Sequence, residues 1–165
     1  FVVEGTQGPS FNFTRDLLEY HFTVGNQKVV LLGVHYKAKG TPTSPDNPDK
    51  RLAEAQKTRA VADELTAADP SLAVVILGDC NDTPGSPPLK ALVGANPAYV
   101  DAADSIAESD RWTFDFNGSL ELIDHQMMNP VAAGRLDPAS VSIEHSTDAG
   151  ATSDHSPLTA TYYFE

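Results

Sequence analysis

The sequence predicts a mixed α/β (α+β) domain, and three observations carry that prediction. An apolar run, Val29 to Val34, ends at His35; a stretch with helical spacing runs from Asn47 to Asp69; and a second apolar run, Leu72 to Leu77, follows it. A strand, helix, strand succession favours a parallel strand pair with the helix over one face. The 165 residues fit one domain, long enough to bury a core.

Taken in order, residues 1–10 show no periodicity and close on Gly8-Pro9-Ser10, so they read as an irregular N-terminal segment. Phe11 to Val24 alternates loosely, and Gly25-Asn26 offers a turn before Lys28 to His35, so two strands joined by a short turn are expected. Lys39 to Pro48 is rich in Pro, Thr, Ser and Asn and reads as a loop. Asn47 and Pro48 form a cap and first-turn pair, Leu52, Ala55, Ala62 and Leu65 recur at helical spacing, and Asp69-Pro70 ends the helix.

Leu72 to Leu77 is uninterruptedly apolar until Gly78 breaks it and delivers Asp79, Asn81 and Asp82 together, the pattern of a buried strand emptying into a functional loop. Thr83 to Pro88 is a Pro-rich loop with Ser86 as a cap for a short helix through Val93. Arg111 to Phe116 alternates Trp112, Phe114 and Phe116, and Asn117-Gly118 is a strong two-residue hairpin signal leading into Leu120 to Asn129. Val141 to Ile143 reads as a short strand, and Leu158 to Phe164 as a closing strand.

Composition narrows the function. No apolar run approaches the length of a membrane helix, so no transmembrane segment is expected. No stretch has the basic, apolar and small-residue zones of a signal peptide, so the expectation is that any leader was removed or never existed. A single cysteine, Cys80, excludes an internal disulfide and a multi-thiolate metal site, and is expected to be a small buried filler. Twenty-three acidic against eleven basic side chains give a net charge of −12. A polyanionic substrate would therefore be met through a bound cation or a local patch, for which Lys37, Lys39, Lys50 and Arg51 are the candidates.

Four short pieces place titratable groups where predicted strands end: His35; Gly78-Asp79-Cys80-Asn81-Asp82; Ile123-Asp124-His125; and Ser153-Asp154-His155-Ser156-Pro157. Carboxylates suit a hard divalent cation, and a histidine held by a carboxylate can take a proton from water. Asp82 is expected to cap its loop, and His125, adjacent to Asp124 in a strand, to point to the opposite sheet face and act structurally. His21 and His145 are expected to be solvated. A Ser153, Asp154, His155 triad is excluded because adjacent residues cannot form one and no Gly-x-Ser-x-Gly elbow is present. A dedicated zinc site fails for lack of close-spaced His or Cys ligands.

With the motifs GVHYKAK, GDCNDTP, LIDHQMM and TSDHSPL in this order, the chain resembles the C-terminal half of the endonuclease/exonuclease/phosphatase family over about Arg15 to Phe164. The resemblance implies half of a two-sheet β-sandwich with flanking helices, a four-layer α/β/β/α fold when complete. It implies a divalent-metal-dependent phosphoesterase that hydrolyses phosphodiester bonds, a nuclease first, with a phosphatase or lipid phosphodiesterase as the alternative. The cofactor implied is Mg²⁺, or another divalent cation such as Mn²⁺ or Ca²⁺, and the partner a phosphodiester substrate, with nucleic acid foremost.

By the same resemblance, Asp79 orients or deprotonates the water and Asn81 donates to a phosphoryl oxygen. Asp154 contributes to the metal site, His155 is the base or phosphate contact, Asp124 orients His155, and His35 sits near the leaving group. The family's principal metal ligand is a glutamate on an early strand; Glu4 lies too near the Arg15 segment to fill that role. The chain is thus expected to need an N-terminal half or a partner chain, and a catalytically silent interaction module is the remaining alternative.

Overall fold

A computed structural model describes the backbone of residues 2–4, 10–40 and 43–164, and the side chains of 11–40 and 43–164. The chain opens on an antiparallel pair, β1 (Val2–Glu4) and β2 (Ser10–Asn12). This corrects the reading of residues 1–10 as irregular: β-branched Val2-Val3 favours extended backbone, and β2 supplies the ladder it needs. The Glu4 side chain lies outside the described residues. Next come β3 (Leu18–Val24) and β4 (Gln27–His35), an antiparallel hairpin around Gly25-Asn26. The alternation from Phe11 to Val24 therefore spans two strands rather than one.

Helix α1 (Pro48–Ala68) begins where Asn47 accepts the Lys50 amide at 2.9 Å and Pro48 presets the first turn. Strand β5 (Ala73–Asp79) then pairs parallel with β4, with His35 opposite Asp79. Helix α2 (Pro87–Val93), capped by Ser86, and β6 (Val100–Asp101) follow. The hairpin of β7 (Phe114–Phe116) and β8 (Ser119–Glu121) turns through Asn117 and Gly118, both at positive φ. Strand β9 (Asp124–Met128) runs antiparallel to β5, placing Asp124 opposite Asp79. A short helix, α3 (Pro130–Ala133), leads to β10 (Leu136–Ile143), and α4 (Thr147–Thr152) to β11 (Leu158–Tyr162), which pairs with β10.

The main sheet runs β3-β4-β5-β9-β6. Strand β5 sits at its centre, which is why its sequence is apolar on both faces. On one face Val30, Leu32, Val74, Ile76 and Met127 are buried beneath α1 and α2 with Leu89, Leu92 and Tyr99. Full burial of each large aliphatic side chain stabilises by roughly 1.5–3 kcal/mol. On the other face Val29, Val75 and Met128 pack with Val141, Ala160 and Tyr162 of the β10–β11 ribbon. That second face continues onto β3, where Leu18 and Tyr20 are 67% and 65% exposed.

Helix α1 departs from a simple amphipathic pattern. Its inward side carries Ala55, Val61 and Ala62, and it also buries Arg51, Glu54, Thr58 and Arg59. Each of these has hydrogen-bond partners, which is what makes their burial tolerable. Among the described residues, no helix is long and apolar enough to cross a membrane.

Candidate active site

Register builds the site. Because His35 pairs with Asp79 and Asp79 with Asp124, the three residues form one row across the ends of β4, β5 and β9, with side chains on one face. Gly78 is required immediately before this row. Its φ is +129°, and a Cβ there would lie 2.2 Å from the Val34 carbonyl oxygen, so only glycine lets β5 approach β4 this closely.

The loop after β5 turns at Asn81, which adopts a positive φ of 51°, a conformation Asn tolerates better than most residues. The Asn81 amide N–H donates to Asp79 Oδ1 at 2.7 Å, and its Nδ2 donates to Asp79 Oδ2 at 3.0 Å and to the Tyr36 carbonyl at 3.1 Å. His35 Nε2 lies 3.3 Å from Asp79 Oδ2. Burial raises the Asp79 carboxyl above its ordinary range; the Asn81 N–H opposes this, the Asp124 charge adds to it, and His35 and His155 pull the other way.

His155 arrives from the loop after α4. Its backbone bridges to Phe114, whose ring lies 5.0 Å from the imidazole. Its Nδ1 is 2.7 Å from Asp124 Oδ2, so Nδ1–H donates to the carboxylate and Nε2 is left with its lone pair. Burial pulls the His155 pKa down, but the Asp124 hydrogen bond and charge outweigh it and hold it above the ordinary value. Thr113, fully buried, ties this pair together. Its Oγ1 accepts the Ile123 and Asp124 amides, each at 3.1 Å, and its carbonyl accepts the Ser156 amide at 2.7 Å. A cavity of about 360 Å³ opens beside the pair, lined by Gln126, Ala149, Ser153 and Leu158 among others.

Among the described residues, Asp79, Asp124 and His155 each offer a ligand atom, all within 4.8 Å of one another. Two carboxylates held side by side, one of them reluctant to ionise, form a donor set that fits a hard divalent cation, which would relieve their mutual repulsion.

The remaining sequence candidates are placed as follows. Asp154 is exposed on the loop and stands outside that cluster, close enough for its charge to act on His155. His125 points to the opposite face from Asp124 and is buried, with Nδ1 2.5 Å from Asp101 Oδ2 and Nε2 3.0 Å from the Asp82 carbonyl. Both ring nitrogens face acceptors, an arrangement that favours the protonated ring. Cys80 is buried and its thiol is pushed well up by burial. His21 and His145 are exposed, His145 stacked on Trp112 at 3.8 Å.

One member of the basic patch read from the sequence is corrected: Arg51 is 3% exposed and turned inward onto Asp46 and Asp82. Lys39 pairs with Glu121 at 2.7 Å. Lys37 Nζ donates to the Ala38 carbonyl at 2.9 Å. Arg51, Glu54, Thr113 and Asp101 are the site-supporting residues that sequence reasoning missed. For Arg51 and Glu54 a signal existed: they sit on the inward stripe of α1, beside Ala55 and Ala62, where a polar residue demands a buried partner.

The fold and site define a carboxylate-histidine cluster, with a donor set suited to a divalent cation, at the end of an α/β sheet. Residues 3–134 match the model of the Endonuclease/Exonuclease/phosphatase family, and the chain belongs to that family. No curated protein matches it by sequence. Among solved structures, truncated Caenorhabditis elegans TDP2 is similar at 17% identity and a TM-score of 0.68, over 99% of this chain and 65% of that one. D. rerio TDP2 complexed with a single-strand DNA product is similar at 18% and 0.63, over 90% and 61%. A Neisseria 3′ phosphatase, NExo, bound to a product DNA hairpin, is similar at 20% and 0.57, over 88% and 65%. The chain thus spans less than two thirds of the length of these structures.

Proposed function

We propose that this chain is the C-terminal part of a divalent-metal-dependent phosphoesterase domain that hydrolyses phosphodiester bonds in nucleic acid. The observation that carries the reading is the row His35, Asp79, Asp124 with His155 held 2.7 Å from Asp124. Asp79 and Asp124 would hold Mg²⁺, with Mn²⁺ or Ca²⁺ as substitutes, and Asp154, outside their cluster, would add a ligand only by turning toward them. When bound there, the cation would supply charge stabilisation to the phosphoryl group under attack.

The chain's own residues do the rest. Asp124 fixes the tautomer of His155, whose Nε2 takes the proton from the attacking water. Asp79, its two oxygens held by Asn81, orients that water. Asn81 exchanges one of its present acceptors, Tyr36 carbonyl or Asp79, for a phosphoryl oxygen, and His35 stands over the leaving oxygen. Residues of the parent domain beyond this segment supply the remaining cation ligands and cover the face on which Leu18 and Tyr20 stand exposed.

Relatives of the fold that carry DNA in their structures support the nucleic-acid reading. One observation favours a second: in a chain of net charge −12, Arg51 is buried and Lys39 is paired with Glu121, which withdraws two of the basic groups read from the sequence. That suits a small phosphorylated molecule or a phospholipid head group. Offering the intact protein a DNA oligonucleotide and phospholipid vesicles in one Mg²⁺-containing assay separates the two. Preferred DNA cleavage supports the first, preferred phospholipid turnover the second. If neither is hydrolysed and no cation binds by calorimetry, the chain is a catalytically silent module.

A further inference from the structure

We infer that Arg51 and Glu54, a buried pair of opposite charge on α1, are positioning residues that set the spacing between the His35 strand end and the Asp79–Asn81 loop. The inference rests on the functional reading above and adds residues to it.

Three observations carry it. Glu54 is fully buried, and its carboxylate accepts two backbone amides, Thr14 N–H at 2.6 Å and Lys37 N–H at 2.8 Å. Arg51, one turn earlier on the same helix face, donates from Nη1 to the Lys37 carbonyl at 3.2 Å and to Asp46 at 2.7 Å. Its Nε donates to Asp82 Oδ2 at 3.0 Å. The helix thereby takes both the N–H and the C=O of Lys37, two residues beyond His35, and the side chain of Asp82, three beyond Asp79.

The two loops are also joined directly, by Tyr36 N–H to the Asp79 carbonyl at 3.0 Å and by Asn81 Nδ2 to the Tyr36 carbonyl. Those bonds fix orientation; the charged pair behind them fixes where both loops sit against the helix. Burying a guanidinium and a carboxylate is costly, and apolar side chains of similar volume would stabilise α1 at least as well. What the charges provide that a methyl could not is directional hold on a carbonyl, an amide and a carboxylate belonging to two different loops. A lysine in place of Arg51 has one compact ammonium and cannot keep the Asp82, Lys37 and Asp46 contacts in one plane.

Arg59 provides an internal comparison. It is equally a buried arginine of α1, 6% exposed, but it donates to the Leu92, Val93 and Pro97 carbonyls, remote from the site row. The test compares Arg51→Lys with Arg59→Lys in the intact protein, with Mg²⁺ and the phosphodiester that wild type cleaves, well below both melting temperatures. Positioning predicts that Arg51→Lys lowers kcat of the folded protein by about 10- to 100-fold with KM changed less than about threefold. Arg59→Lys lowers Tm and leaves kcat within about twofold.

The inference is overturned if Arg51→Lys behaves like Arg59→Lys, losing stability and keeping kcat. If Arg51→Lys does not fold, Asp82→Asn decides: it keeps the Asp82 acceptor geometry and removes the charge on which Arg51 closes. A kcat loss there supports the inference and an unchanged kcat overturns it. Wild-type protein that hydrolyses no phosphoester overturns the functional reading itself, a result separate from either variant's.

Discussion

The hydrogen bond between Asp124 and His155 offers the sharpest single perturbation, Asp124→Asn. The side chains are 23% and 28% exposed, so the 2.7 Å contact is only partly screened by water. A hydrogen bond to a charged group contributes about 1.5–3 kcal/mol and a neutral one about 0.5–1.5, so losing the charge costs about 1–1.5 kcal/mol. At 1.36 kcal/mol per decade that is about a 5- to 13-fold loss in kcat/KM if the imidazole keeps its orientation. If the Asn amide instead presents its NH₂ to Nδ1, the proton moves to Nε2 and the base is lost, costing about 10²–10⁴.

The pH profile gives a second handle. As the proposed base, His155 would act while neutral, and Asp124 holds its pKa above the ordinary value despite burial. Removing the carboxylate moves the acidic limb of kcat/KM to lower pH. Steady-state cleavage from pH 5 to 9, with Asp124→Asn, His155→Ala and the double variant, measures all of this. Because the pair acts as a unit, the double variant should be no slower than His155→Ala alone. Wild-type kcat/KM in Asp124→Asn, an unmoved limb, or additive losses would refute the dyad.

Other outcomes follow from the same geometry. Thr113→Val keeps shape but leaves the Ile123 and Asp124 amides without their buried acceptor, which should lower unfolding free energy by about 1–3 kcal/mol; urea denaturation measures it. Gly78→Ala forces a Cβ against the Val34 carbonyl at a φ only glycine favours, so a loss above about 2 kcal/mol and reduced cleavage are expected, read by Tm and kcat together. For His125, burial lowers the pKa, but the Asp101 hydrogen bond and charge and the Asp82 carbonyl leave it raised. A raised folded-state pKa contributes stability that is complete below the unfolded value, about 6.5, and is lost as pH rises through the folded one. His125→Gln should therefore cost more stability at pH 6 than at pH 9, and equal costs would count against the imidazolium.

Much of this arrangement is legible in the sequence. The apolar run into Gly78-Asp79 and the helix capped at Asn47-Pro48 identify β5, α1 and the parallel β4–β5 pair, which is what brings His35 beside Asp79. Alternation places His125 opposite to Asp124. Other features depend on contacts no local pattern carries. The reach of β10 back to Leu136 crosses Pro138 and an irregular register, so its propensity signal is broken. Strand β1 is short and is stabilised by pairing with β2. Arg51 looks like surface charge until its partners, Asp46, Asp82 and the Lys37 carbonyl, are known. The meeting of Asp124 and His155 is a long-range contact drawn in by Thr113, a residue with no catalytic signature of its own.

The central claim, that Asp79, Asp124 and His155 form a cation-dependent phosphoester-cleaving centre, is tested most directly by titrating Mg²⁺ into the intact protein with a labelled DNA oligonucleotide. Wild type should cleave only with the cation, chelation should stop it, and Asp79→Asn should reduce both cation-induced stabilisation and cleavage by at least about tenfold. Cleavage indifferent to chelation, or undiminished in Asp79→Asn, would contradict the account.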